Sequence, residues 1–256
     1  MPLATLNPYD HYGYALVAVV GTFLAVLAIA WLIGASPWQD RIRAWRGVAP
    51  PFINILGVLF GLTLAFIAND TWSAHDKATA AVYHEADALR SLMVLGGQLQ
   101  EPLRSPFLQA VKRYAQTSAG EWDSLALRRA SPDADQQASA LLRASLDPKV
   151  EAALGHNAHA LLLAKVSDIR HDRDQRISLS QMHINPLKWV GMAFLGLLTL
   201  LSIAVVHVEN PKAVYVSITL FALAAAPTAA IVLVQGNPFQ QPTFVSPAPI
   251  LASVAT

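Results

Sequence analysis

The sequence predicts an all-α membrane protein: four transmembrane helices, a helical bundle inserted between the second and third, and a long second helix continuing into the bundle. Three observations carry this. Hydrophobic residues make up 54% of the 256 residues and charged residues only 14%, where a soluble domain carries about a quarter charged. Four runs of 17 to 22 residues hold no Asp, Glu, Lys or Arg, and about 20 such residues cross a bilayer as a helix. Of the 35 charged residues, 26 fall within residues 75–183. No stretch shows the period-two alternation of a half-buried strand.

The first run is Tyr14 to Ile33, 20 residues or about 30 Å of helix. A signal peptide needs a basic start and a shorter apolar core. Residues 1–13 hold no Lys or Arg, so a retained membrane helix is expected. The second run is Phe52 to Ala68, opened by Pro50 and Pro51 and closed by Asn69, Asp70, Thr71 and Trp72. Prolines suit a helix start, and Trp suits a membrane edge. With no Gly or Pro between residues 68 and 95, this helix is expected to run on into the bundle as a rod of about 44 residues. The third run is Trp189 to Val208 and the fourth Ala213 to Val234, interrupted by Pro227. Only residues 209–212 join them, which implies an antiparallel hairpin.

Residues 75–183 hold 13 basic and 13 acidic residues. Apolar residues recur at helical spacing through Val82, Ala86, Leu89 and Met93, then Phe107, Val111, Tyr114, Trp122 and Leu125, then Leu154, Leu162, Val166 and Ile169. Turns are expected at Gly96-Gly97, Glu101-Pro102, Ser131-Pro132 and Asp147-Pro148, with Asp133 and Asp147 as helix starts. The expected division is 1–74, first helix pair; 75–183, extramembrane bundle; 184–235, second hairpin; 236–256, apolar tail. The tail holds Pro238, Pro242, Pro247 and Pro249 and no charge, so it cannot be one regular helix. Its Phe239, Phe244, Val245, Ile250 and Leu251 are expected to pack on the bundle or a neighbouring subunit.

The net charge of +1 gives no reason to expect nucleic acid as a partner. With no cysteine, thiol catalysis, disulfides and cysteine metal sites are excluded. Walker, GxGxxG, HExxH and GxSxG motifs are absent from the sequence, and neither an enzyme nor a cofactor is expected. His156 and His159 sit three apart, and Asp168, His171, Asp172 and Asp174 follow. Zinc wants three or four ligands, and a solvated helix face explains these residues without a metal.

The second helix carries the candidate site. Gly57 and Gly61 form a GxxxG pair, extended by Asn54 and Ala65, and small residues on one face let membrane helices pack closely. Ile53, Phe60, Leu64 and Ile67 also recur at helical spacing. In a symmetric oligomer they would stack as apolar rings able to gate by dewetting; ordinary packing explains them equally. Asp70 closes this set of pore-lining candidates. Trp72, His75, Asp76, His207 and Glu209 are polar or interfacial residues at the membrane edges, where ionisable groups are functional candidates.

The stretch from Gly57 through Trp72, Ser73, His75 and Asp76 to Glu85-Ala86 resembles the bestrophin-like domain family of bacterial membrane proteins. So do the Val208-Glu209-Asn210 turn, Asn237-Pro238-Phe239 and Phe244-Val245-Ser246-Pro247. The resemblance implies the inner membrane of a bacterium, a homo-oligomer in the lipid bilayer (a pentamer, as in bestrophins proper), and a channel for an inorganic ion, chloride in the bestrophins. It implies a neck at Ile53, Gly57, Phe60, Gly61 and Leu64. The sequence departs from bestrophins in having Asn69-Asp70-Thr71 where an Arg is usual, and no acidic calcium clasp. Bestrophins keep the large domain in the cytosol. The loop 35–50, with Arg41, Arg43 and Arg46, faces the cytosol under the positive-inside rule, which puts the bundle outside. Lys77, Arg90, Arg170, Arg173, Arg176 and Lys188 flank the bundle side and oppose that assignment. An accessory scaffold subunit and a membrane sensor are the alternatives to a channel.

Overall fold

The computed structural model describes residues 10–44, 49–182 and 186–255. Among them every regular element is a helix. The chain divides into two compact units, Met1–Trp72 with His183–Gly236, and Ser73–Met182 with Asn237–Thr256. Arg46, one of the three loop arginines, lies outside the described residues, as do residues 183–185 at the expected end of the bundle.

In the first unit, α1 is Asp10–Gly34 and α2 is the short Gln39–Arg43. The helix α3 is Ala49–Gly97, 49 residues or about 74 Å long. Nothing between Gly61 and Gly96 breaks it, since that stretch holds no Gly or Pro. The later pair, α9 (Pro186–Val206) and α10 (Pro211–Val234), forms the hairpin. Asn210 starts α10 by accepting from the backbone N–H groups of Lys212 and Ala213. Among the described residues, four helices are long and apolar enough to cross a membrane. Val26, Ile29 and Ile33 of α1 pack with Leu200 and Ala204 of α9 and with Val214, Ile218 and Ala222 of α10.

The second unit is built from the rest of α3, α4 (Arg104–Gly120), α5 (Trp122–Ala126), α6 (Pro132–Ser145), α7 (Pro148–Leu154), α8 (His156–Gln181) and α11 (Ala248–Ala252). Its core is the periodic stripes of the sequence: Val82, Leu89, Val111, Tyr114, Leu125, Leu162 and Ile169 are each fully buried. Gly96 lets α4 approach the end of α3 closely, because a Cβ there would lie 2.5 Å from the Phe107 ring. Asp147 caps α7 through the Lys149 N–H. At α6 the cap is Ser131, which accepts from Ala134, and not Asp133. Ser131 stands just before Pro132 at the first helical position, which moves the start two residues earlier.

The tail packs on the bundle. Phe239, Val245, Ile250 and Val254 belong to the same buried cluster as Leu125 and Val111. Asn237 donates to the carbonyls of Leu125 and Ala126. Phe244 and Leu251, also expected to be packed, are exposed; on α11 it is Ile250 that faces the core, so its neighbour Leu251 faces away.

Candidate functional site

The predicted pore positions do not share one face of α3. At 100° per residue, Ile53, Phe60, Leu64 and Ile67 lie within a sector of roughly 60°. Asn54, Gly57, Gly61 and Ala65 form a second stripe, turned from the first by roughly a quarter of the circumference. Phe60 and Ile67 are taken up by packing inside the unit, against Met192 of α9 and Ala229 and Val232 of α10. The Phe60 ring lies 5.3 Å from that of Phe221, and a Cβ at Gly196 would come within 3.2 Å of it. Leu64 is half-buried beside them.

The small-residue stripe is unpacked. A Cβ added at Gly57 or Gly61 meets nothing within 4 Å, and Asn54 and Ala65 are exposed. Val58, Leu62 and Phe66 stand next to this stripe, also exposed. Sequence reading did not single out these three, although their spacing of four residues was available as a signal. At the end of the apolar segment, Asp70 is exposed and pairs with Lys188 of α9 at 2.7 Å. Trp72 donates its indole N–H to the Gln235 side chain at 3.1 Å. Thr71 is buried and bonds back to the Ile67 carbonyl.

The remaining edge candidates are scattered. His75 is half-buried and Asp76 exposed on α3. His207 donates Nδ1–H to the Ile203 carbonyl at 2.9 Å, and Glu209 is exposed in the hairpin turn. The carbonyl can only accept, so the bond fixes the His207 tautomer.

The second unit holds a charge cluster that the sequence reading missed. Arg176, Glu85 and Glu121 are each fully buried. Arg176 grips Glu85 through Nε at 2.8 Å and Nη2 at 3.1 Å. Tyr114 and Ser118 donate to the same carboxylate, at 2.8 and 2.7 Å. Arg173 binds Glu121 through Nε and Nη2 and reaches Asp135 at 3.3 Å. Among the described residues the Arg176 Nη1 atom has no hydrogen-bond partner, but it lies 3.7 Å from Glu121, and the guanidinium carbon sits 4.8 Å from the Trp122 ring centre. Trp122 in turn donates to the Val245 carbonyl of the tail at 2.6 Å. Burial opposes the Arg176 charge, but the Glu85 carboxylate, with Glu121, outweighs it and holds the pKa above the ordinary arginine value. Burial, and then the Glu85 charge, pushes Tyr114 well up, so it remains a neutral donor. Arg173 and Arg176 are therefore core residues, and not the basic groups flanking the membrane expected from the sequence.

Of the histidines and aspartates expected on a solvated face, His156, Asp168, His171 and Asp174 are exposed, while His159 and Asp172 are buried. His159 is buried and donates Nε2–H to the Ser145 carbonyl at 2.8 Å, while His156 is exposed beside Glu151 at 3.3 Å. Asp172 is 5% exposed and makes no hydrogen bond among the described residues. Burial raises its pKa, against the opposing pull of His84 and His171. Asp172 lines a polar pocket of about 430 Å³ with His84, Asp87, Lys165, Asp168 and His171. Lys165 and Asp168 neutralise each other at 3.0 Å. Among the described residues no group of three or more His, Asp or Glu could hold a metal ion.

The family model of the bestrophin-like domain matches residues 20–250. The fold is similar to crystal structures of variants of a bacterial bestrophin homolog from Klebsiella pneumoniae. One is 11% identical with a TM-score of 0.72, covering 94% of this chain and 98% of that one. A second is 12% identical with a TM-score of 0.68, covering 92% and 95%. A third structure, of a membrane protein, is 10% identical with a TM-score of 0.64, covering 94% of each chain. Comparison with curated proteins gives no significant sequence match.

Proposed function

Since the chain belongs to the bestrophin-like family, we propose that copies of it assemble in a bacterial inner membrane around an ion pathway lined by the unpacked side of α3. One observation carries the reading. A Cβ at Gly57 or Gly61 would meet nothing within 4 Å, while the neighbouring Phe60 and Ile67 are already engaged. Small residues let a helix of another copy approach closely. Beside them, Val58 and Leu62 are exposed, and rings of such residues from several copies form an apolar constriction that gates by dewetting. The Asn54 amide sits on the same stripe, a neutral polar group one turn before Gly57. A five-fold ring is the stoichiometry proposed, with chloride as the first ion to test.

The test is ion flux into liposomes holding only the purified protein, with chloride and potassium measured separately. Gly61→Leu adds a branched side chain where none is met in the single chain, so the fold should persist while flux falls by about an order of magnitude or more. The basic loop supports a bundle on the outside of the cell. Since the chain has no cysteine, a single cysteine at the exposed Arg90 should react with an impermeant thiol reagent added to intact cells. A cysteine at the exposed Arg43 should not.

A further inference from the structure

The first unit contains an apolar groove of about 490 Å³. Its wall is formed by Ile29 and Ile33 of α1, Ile42 of α2, Leu56 of α3, and Leu201 and Val205 of α9. These are the last turns of α1 and α9 and the first turns of α3. The groove therefore lies at the membrane edge marked by loop 35–50. On α3, Phe52 and Leu56 line the groove, and they lie well away from Gly57 and Gly61 around the helix.

Basic residues flank the groove. Ile42 is buried in it, and its neighbours Arg41 and Arg43 are exposed. Successive residues of a helix point about 100° apart, so the two arginines stand on either side of the apolar contact. The Arg41 guanidinium carbon lies 5.7 Å from the ring centre of Trp38, and Trp38 is 59% exposed. Exposed Trp beside arginine is the composition of a membrane–water interface. Loop 35–50 carries three arginines against one acid, Asp40.

We propose that this groove binds one acyl chain of an anionic phospholipid, with the lipid phosphate held at Arg41 and Arg43. The apolar wall fits a hydrocarbon chain and offers a polar metabolite almost nothing to bond. The two arginines supply what an anionic headgroup recognises: Arg donates in a fixed fork to phosphate oxygens, and basic groups close to the bilayer select anionic lipids. The lipid would brace α2 against the ends of α1 and α9.

The test is native mass spectrometry of the full-length protein in detergent, supplied with equal amounts of phosphatidylglycerol and phosphatidylcholine of the same chain length. The wild type should retain phosphatidylglycerol over phosphatidylcholine by on the order of tenfold, given two basic groups at the headgroup. R41Q/R43Q, two exposed positions that leave the groove intact, should abolish the preference without abolishing lipid retention. Leu201→Trp should fill the groove and lower retention of both lipids, with Ser202→Phe as the replacement if that variant does not fold. Equal retention of the two lipids by the wild type would overturn the proposal. So would an undiminished preference in R41Q/R43Q, or a neighbouring copy of the chain found to cover the groove. Binding is read without conduction, so failure here would leave the channel reading untouched, and the reverse also holds.

Discussion

The two units solve opposite problems with the same secondary structure. In the first, only 11–33% of each apolar membrane window is buried within the chain. In the second, Arg176, Glu85 and Glu121 are fully buried in the core. A bilayer accepts apolar side chains as readily as a protein interior does, so helices there gain no hydrophobic free energy by packing. Small residues and shape decide contacts instead. Water accepts charges, so burying them in the bundle requires that they be paired and hydrogen-bonded. The membrane unit is thus defined by what it leaves open, and the bundle by what it has closed.

Breaking the closed network should give the largest effect. Arg176→Ala leaves the Glu85 and Glu121 carboxylates buried beside a void, and breaking such a pair costs about 3–5 kcal/mol. Thermal unfolding in detergent should show a large drop in Tm. A shift no larger than that of an exposed arginine such as Arg90 would mean the cluster is hydrated. Next comes Trp122→Phe, which removes the 2.6 Å bond to Val245. It should cost about 1–2 kcal/mol and make residues 236–256 more sensitive to protease, while leaving the α9–α10 hairpin protected. Protection of the tail equal to wild type would show that its apolar contacts suffice.

Charge at the membrane unit should matter less. Lys188→Ala breaks an ion pair with Asp70 that is half-exposed on both sides, and such pairs are worth at most about 1 kcal/mol. A larger loss would show that this pair is buried in an assembly. The smallest effect is expected at Asp172. Its folded-state pKa is raised by burial, so the folded protein binds this proton more tightly than the unfolded chain does. That contribution is present below the ordinary carboxylate range and lost as pH rises through the folded value. Asp172→Asn should therefore raise Tm slightly at neutral pH, and the gain should shrink on acidification. A drop in Tm at neutral pH would show that the ionised carboxylate is bound to something.

The sequence revealed most of the architecture, because helical periodicity and uncharged length are local properties. The stripes through Val82 and Leu89, Val111 and Tyr114, and Leu162 and Ile169 all mark core. The continuous α3 followed from the absence of Gly and Pro over one stretch. What stayed hidden depends on partners far apart in the chain. Glu85 and Arg176 are separated by 91 positions, and nothing near either residue announces the pairing. Arg173 and Arg176 therefore read as basic residues flanking the membrane. The same limit applies to α3. Periodicity put Phe60, Leu64 and Ile67 on one face, but hydropathy does not distinguish a face packed on α9 and α10 from one turned to a pore. Residues from other helices, Phe221, Gly196, Met192, Ala229 and Val232, reveal that this face is packed.

Flux through reconstituted protein tests the unpacked side of α3 most directly. Liposomes holding wild type should conduct an inorganic ion, and liposomes holding Gly61→Leu at equal incorporation should conduct far less. Phe60→Ala should instead loosen the packing on Phe221 and lower stability, with conduction surviving in the molecules that remain folded. Equal conduction by wild type and Gly61→Leu, or no conduction from well-folded wild type, would contradict the assignment.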